Sequence, residues 1–296
     1  MKETRHVKPL KRFKSSQLPD NTPLKRGVNE STISKNISRR RVGHVEQKAT
    51  DWLAREEPLE IRVRGRSVAV TMRTPGHDRE LAAGFLLTEG VVRRAGDIVE
   101  IAPCRESDAP ENTLNVFLAP SVEFDFGRLT RHVFASSSCG LCGKASIETV
   151  HQHFPPLESS IAISAKTLAK LPERMRAAQR TFEETGGLHA AAVFTLSGKL
   201  VALREDVGRH NAVDKVLGHC FLEDIFPLDE HVLLVSGRAS FEIVQKALAA
   251  RIPLVAAISA PSSLAVEFAE ESRQTLVGFL RGETMNVYAG AQRVRK

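Results

Sequence analysis

The sequence predicts an α/β protein, with a smaller α+β unit in the first half and a helix-covered parallel sheet in the second. Three observations carry this. Residues 232–235, 254–258 and 275–279 are apolar runs, and the stretches between them, 241–250 and 264–272, have helical spacing. Continuous apolar runs alternating with helices mark a parallel sheet buried on both faces and linked by right-handed crossovers. Earlier in the chain, Ile61 and Val63 before Gly65, and Val68, Val70 and Met72 after it, alternate with polar residues in the period of a β-hairpin. Between the halves lies a run of small residues, 135–143.

The elements follow in order. Residues 1–42 are expected to form a basic, disordered tail, with folded structure starting near Val42. A domain over 43–154 holds the hairpin and a helix over 78–89, whose Leu81, Phe85 and Leu86 share a face and whose stop is Gly90. A strand through Leu114, Val116 and Leu118 follows, and a helix over about 144–153 after the Cys-x-x-Cys loop closes the unit before Pro155-Pro156. A second domain over 155–296 opens with a helix from about Ala165 to Gly186-Gly187. It continues with a hairpin turn at Ser197-Gly198-Lys199 and a helix capped by Asn211 that runs toward Cys220.

Charge narrows the function classes. The chain carries a net +7, yet residues 1–40 hold eleven Lys or Arg against three acidic residues, so the remainder is close to neutral. The basicity belongs to the tail, and the folded part has no general pull on nucleic acid. One Trp and one Tyr provide little surface for stacking single-stranded bases. No apolar run is long enough to span a membrane, and no signal peptide is apparent, so a cytoplasmic location is expected. In a reducing compartment the four cysteines (104, 139, 142 and 220) are not a disulfide framework.

Cys139-Gly140-Leu141-Cys142 is the strongest local signal. Its glycines allow close backbone approach, and a following helix N-terminus favours thiolate, the form that attacks sulfur and holds it as persulfide. Three alternatives remain open on the residues alone. Cys104, Cys220, His151 and His153 could complete a zinc site, the pair could be a redox dithiol, or the cysteines could be incidental. Elsewhere, Ser236-Gly237-Arg238, Ser259-Ala260-Pro261 and Arg281-Gly282 stand at strand exits, where α/β sheets bind anionic ligands. Arg209 and His210, in the charged run 204–211, are either anion or base contacts or part of a solvated helix cap. His189 is either a buried, hydrogen-bonded histidine or a proton donor at the site.

Together these segments resemble the FdhD/NarQ family of formate dehydrogenase accessory sulfurtransferases. The resemblance rests on Glu80-Leu81-Ala82-Ala83-Gly84-Phe85, Cys139-Gly140-Leu141-Cys142-Gly143, His189-Ala190-Ala191-Ala192 and Glu205-Asp206-Val207-Gly208-Arg209-His210-Asn211. Ser236-Gly237-Arg238, Ile258-Ser259-Ala260-Pro261 and the stretch 276–288 complete it, over roughly residues 45–292.

The resemblance implies a C-terminal domain similar in fold to cytidine deaminases, and a homodimer. It implies that Cys139 carries persulfide sulfur received from a cysteine desulfurase, with Cys142 assisting. The sulfur would pass to the molybdenum (or tungsten) of a bis(molybdopterin guanine dinucleotide) cofactor, the cargo, before its insertion into formate dehydrogenase apoenzyme. GDP would mimic that cargo. Phe279, Leu280, Arg281, Gly282, Glu283 and Thr284 match the family's cofactor-binding stretch, with Ser236, Gly237, Arg238, Arg209 and His210 in support; no resident metal is expected. Thr284 stands where relatives often carry a basic residue, which leaves the phosphate charge to Arg281 or Arg238. Two other classes compete. A zinc deaminase needs a His-x-Glu pair and a downstream Cys pair, whereas His189-Ala190-Ala191 lacks the Glu and the Cys pair comes first. A non-catalytic chaperone would not need Cys139.

Overall fold

The computed structural model describes residues 30–40, 42, 46–124, 126, 150–151 and 153–296. Structure begins earlier than expected. Strand β1 (Thr32–Arg39) pairs antiparallel with β2 (Gln47–Ala54), placing Ile33 opposite Leu53 and Ile37 opposite Ala49. The C-terminal end of the predicted tail is therefore a strand, because a partner segment beyond it satisfies backbone groups that composition alone cannot account for. Most of the helix expected over 144–153 lies outside the described residues.

The first sheet contains β3 (Glu57–Val63), β4 (Arg66–Arg73), β5 (Ile98–Pro103) and β6 (Thr113–Leu118), in the order β4-β3-β6-β5. The β3–β4 turn is Arg64-Gly65, both left-handed (φ 49 and 76), which suits the twist of a two-residue hairpin. Helix α1 (Asp78–Thr88) lies on this sheet and buries Leu81, Ala82, Leu86 and Leu87 against Leu59, Ile61, Val63 and Val116. Each fully buried Leu or Ile of this kind contributes about 1.5–3 kcal/mol.

The second half begins with the short β7 (Ile163–Ser164) and then three helical pieces, α2 (Ala165–Ala169), α3 (Leu171–Ala178) and α4 (Arg180–Thr185). The single helix expected from Ala165 to Gly186 is thus broken. Pro172 lacks an N–H and is tolerated only in a first helical turn, which is where it sits in α3. Next come β8 (His189–Thr195), β9 (Leu200–Asp206), α5 (Arg209–Leu222), β10 (His231–Val235), α6 (Phe241–Ala249), β11 (Leu254–Ala257), α7 (Ser263–Glu271), β12 (Thr275–Arg281) and β13 (Thr284–Ala289). The short β14 (Val294–Arg295) closes the chain beside β7.

The large sheet runs β13-β12-β11-β10-β8-β9. Only β10-β11-β12 is parallel; β8, β9 and β13 pair antiparallel, so the sheet is mixed rather than the parallel one expected. Two hairpins cause this. One turns at Ser197-Gly198-Lys199, as the sequence indicates; the other turns at Gly282-Glu283, where a strand exit was expected. Alternate residues of each strand serve opposite cores. Leu233 and Val235 face α5–α7, whereas Val232 and Leu234 face Leu168, Leu171 and Met175 of α2 and α3.

The two sheets meet through α1 and α5, whose backbones touch. A Cβ on Gly84 would lie 1.8 Å from the Asp214 carbonyl oxygen, and one on Gly218 would lie 1.9 Å from that of Glu80. Buried ion pairs close the joint. Lys246 Nζ reaches both Asp214 carboxylate oxygens at 2.8 Å and Thr88 Oγ1 at 3.0 Å. Lys215 Nζ lies 2.7 Å from Asp206 Oδ2 and donates to the Thr74 carbonyl. Arg204 and His219 bind Glu80 of α1. Burial pushes the Glu80 carboxyl up, but hydrogen bonds from Arg204, His219 and His77 outweigh it and hold it far below the usual carboxylate range.

Candidate functional site

The pairing places the C-terminal ends of β9, β10, β11 and β12 and the start of β8 along one edge of the large sheet. His189 opens β8 opposite Asp206, the last residue of β9. Ser236 follows β10 and is locked to β8: its N–H donates to the Ala190 carbonyl, and its Oγ accepts from Ala190 N, both at 2.9 Å. Gly237 lies under His189 and Arg209, since a Cβ there would come 3.4 Å from His189 Nδ1 and 3.7 Å from Arg209 Cδ. Arg238 is exposed.

Helix α5 starts at Arg209 behind Gly208, not at an Asn211 cap. Asp206 Oδ1 accepts from Gly208 N at 2.7 Å, while Asn211 Nδ2 donates to the Met72 carbonyl and to Asp206. Asn211 therefore ties the strand–helix turn to the first sheet. Arg209 Nε is buried without a hydrogen-bond partner among the described residues. His210 Nε2 lies 2.8 Å from Glu242 Oε2 and 3.3 Å from Ser240 Oγ at the head of α6. The His210 contact holds the Glu242 carboxyl below its usual range, against the effect of burial.

The segment after β12 is bent. Phe279 takes a left-handed φ of 51 at a register break, with its N–H on the Ser259 carbonyl, and is 37% exposed. A non-Gly residue in that region is strained and is retained where its surroundings fix it. Arg281 Nε donates to the Ile258 carbonyl at 3.0 Å, and its guanidinium lies 5.8 Å from the Phe279 ring centroid. Leu280 is fully buried. Gly282 and Glu283 form the hairpin turn, closed by Thr284 Oγ1 donating to the Arg281 carbonyl.

A cleft of about 680 Å³ opens beside this edge. The sheet side supplies His189, Ser236, Ile258, Leu280 and Arg281. The facing wall comes from α3 and α4 through Arg176, Gln179 and Phe182, and Gly186-Gly187 floors it. Of the residues singled out by sequence, His189, Ser236, Ile258, Leu280 and Arg281 line this cleft; Gly237, Arg209 and His210 are not part of its lining, and Gly282, Glu283 and Thr284 form the β12–β13 turn. The α3–α4 wall was missed, because nothing in 171–182 reads as a motif. Burial lowers the His189 imidazole below its ordinary value, and the Arg209 charge adds to that, so both favour the neutral ring.

Cys139 and Cys142 lie outside the described residues. The other two cysteines are internal. Cys104 is buried, with Arg62 Nη1 3.7 Å from its sulfur, and burial pushes the Cys220 thiol up to about 12. His151 is engaged elsewhere, 2.9 Å from Ser272 Oγ and stacked on Phe268. Among the described residues, no three His, Cys, Asp or Glu side chains converge as a metal site.

Fold and site define a mixed α/β protein with a cleft at its strand exits. Comparison with known proteins makes that class specific. The chain belongs to the FdhD/NarQ family, whose model matches residues 54–295. It is 53% identical over 251 residues to a Streptomyces coelicolor protein named "Sulfur carrier protein FdhD", covering 82% of this chain and 89% of the relative. A Mycobacterium tuberculosis protein of the same name is 53% identical over 253 residues, covering 82% and 92%. A Saccharolobus solfataricus one is 42% identical over 250 residues, covering 83% and 92%. The crystal structure of a putative formate dehydrogenase accessory protein from Desulfotalea psychrophila superposes with a TM-score of 0.71 at 26% identity, covering 89% of this chain and 99% of that one. No helix among the described residues is long and apolar enough to cross a membrane.

Proposed function

We propose that this protein is a sulfurtransferase that accepts persulfide sulfur from a cysteine desulfurase on Cys139 and transfers it to the molybdenum of bis(molybdopterin guanine dinucleotide), for formate dehydrogenase. In the first step the Cys139 thiolate attacks the terminal sulfur of the donor's persulfide. A new S–S bond forms on Cys139 and the donor cysteine leaves as thiolate. The terminal sulfur then passes to the metal of the cargo: the Cys139 S–S bond breaks, Cys139 leaves as thiolate with Cys142 as its neighbour, and the reduced metal of the cargo supplies the two electrons that bring the transferred sulfur to the sulfide level. The reading includes a cytoplasmic homodimer whose C-terminal half, residues 155–296, is the deaminase-like cofactor-binding unit.

The cleft supports the cargo half of this reading. Its volume falls within the roughly 300–1,000 Å³ usual for small-molecule sites. Arg281 offers a guanidinium group suited to a diphosphate, and Arg176 over the Phe182 ring adds a cationic, flat surface to the facing wall. Phe279, Leu280 and Arg281 through Thr284 form the bent hairpin at its lip.

The observation that carries the sulfur half is the internal state of the other two thiols. Cys104 and Cys220 are both buried, and burial pushes the Cys220 thiol up to about 12, which supports the Cys139–Cys142 pair as the sulfur carrier. The test is mass spectrometry after incubation with a cysteine desulfurase and cysteine. A sulfur adduct on the peptide containing Cys139, lost in Cys139→Ala together with formate dehydrogenase maturation, is the expected result. Full maturation by Cys139→Ala would instead identify a chaperone that only binds cofactor and apoenzyme.

A further inference from the structure

Gln179 ends α3 and opens α4, on the cleft wall that faces Arg281. It is 6% exposed, yet its side-chain amide makes no hydrogen bond among the described residues. It is also absent from the polar groups sealed away from solvent, so its amide borders the cleft's open space. A side chain this enclosed whose amide is paired with no protein group and opens only toward a cleft is unusual, because most polar groups inside folded proteins are paired within the protein. One kept at the wall of a ligand cleft is paired when the ligand arrives.

The chemistry of the amide limits that ligand. Gln presents an acceptor oxygen beside an NH₂ donor. A phosphate, which only accepts, would satisfy the NH₂ and set the amide oxygen against an anion. A lactam edge, with a carbonyl next to a ring N–H, satisfies both halves at once. The neighbours agree with this division. Arg176 stacks on the Phe182 ring, with its guanidinium carbon 4.2 Å from the centroid, giving this wall a flat, partly aromatic rim. The exposed Arg281 stands across the cleft, at the sheet edge. Phosphates belong at Arg281 and a planar base belongs at Gln179.

The geometry points to Gln179 as the residue that reads the guanine base of the cargo's nucleotide arm, with its NH₂ donating to O6 and its oxygen accepting from N1–H. This rests on the reading of the cleft as a guanine-nucleotide site. It adds a specificity-determining residue on an element that the sequence motifs do not reach.

The test is calorimetric binding of GDP and of N1-methyl-GDP, which has lost the N1–H donor, to the full chain and to Gln179→Leu. The wild-type chain is expected to bind GDP at least about tenfold more tightly than the methylated form, one good hydrogen-bond pair being worth roughly 1–3 kcal/mol. Gln179→Leu is expected to bind the two alike, at the weaker level. The wild-type comparison needs no variant, so a misfolded Gln179→Leu would not rescue the idea. Equal wild-type binding of the two nucleotides overturns it, as does a methylation penalty that persists in Gln179→Leu. If either occurs while Arg281→Ala still weakens GDP binding, the cleft remains the nucleotide site and only the role of Gln179 falls. Absence of any GDP binding by the wild-type chain overturns both.

Discussion

Gly218 of α5 and Glu80 of α1 are in backbone contact: a methyl group on Gly218 would stand 1.9 Å from the Glu80 carbonyl oxygen. Gly84 repeats the relationship one turn along α1, against Asp214. Because the obstruction is backbone on both sides, no rotamer change relieves it. Gly218→Ala is therefore expected to push the helices apart and destabilise the protein. The usual gain of helix propensity on replacing Gly by Ala, about 1 kcal/mol, is outweighed by an overpacking cost of about 1–3 kcal/mol or more. A lower thermal midpoint than wild type checks this; an unchanged or raised midpoint contradicts the contact.

The same joint contains Lys246 between Asp214 and Thr88, with all three groups buried. Removing one member of a buried ion pair costs about 3–5 kcal/mol, because the partner charge is stranded, whereas replacing both by apolar groups recovers much of the loss. Lys246→Met is expected to lower the denaturant midpoint sharply, and Lys246→Met with Asp214→Leu is expected to lie well above Lys246→Met alone. Equal midpoints for the single and double variants would show that the pair is not coupled.

The joint also shows what a sequence can and cannot convey. The strands β10, β11 and β12 are legible because both of their faces are buried, which leaves uninterrupted apolar runs. Strand β1 is not: its register with β2 is a long-range fact, and its own residues read as a polar, basic tail. The break at Pro172 was available in the residue itself, since proline cannot continue a helix. Asn211 looks like a cap in one dimension, but in three its amide is spent on Met72 and Asp206. At the site, Ser236, Leu280 and Arg281 announce themselves by following apolar runs. Arg176, Gln179 and Phe182 reach the cleft only because α3 and α4 fold across the opposite face of the sheet.

A final expectation concerns the charge of His189 at the cleft. Burial is the larger cause of its lowered pKa, the Arg209 guanidinium and His210 act in the same direction, and Asp206 opposes them. An unfolded histidine titrates near about 6.5, so below that pH the unfolded chain takes up a proton that the folded site resists. His189 therefore costs no stability above about pH 6.5, and stability falls as pH drops from there through the folded value. Carbon-13 NMR of labelled histidines should show a His189 midpoint below about 6.5, and Arg209→Gln should raise it without bringing it fully to 6.5, because burial remains. A wild-type midpoint at or above that of free histidine would mean that the ring is charged where the cleft meets its ligand, and that the neutral, proton-accepting His189 does not exist.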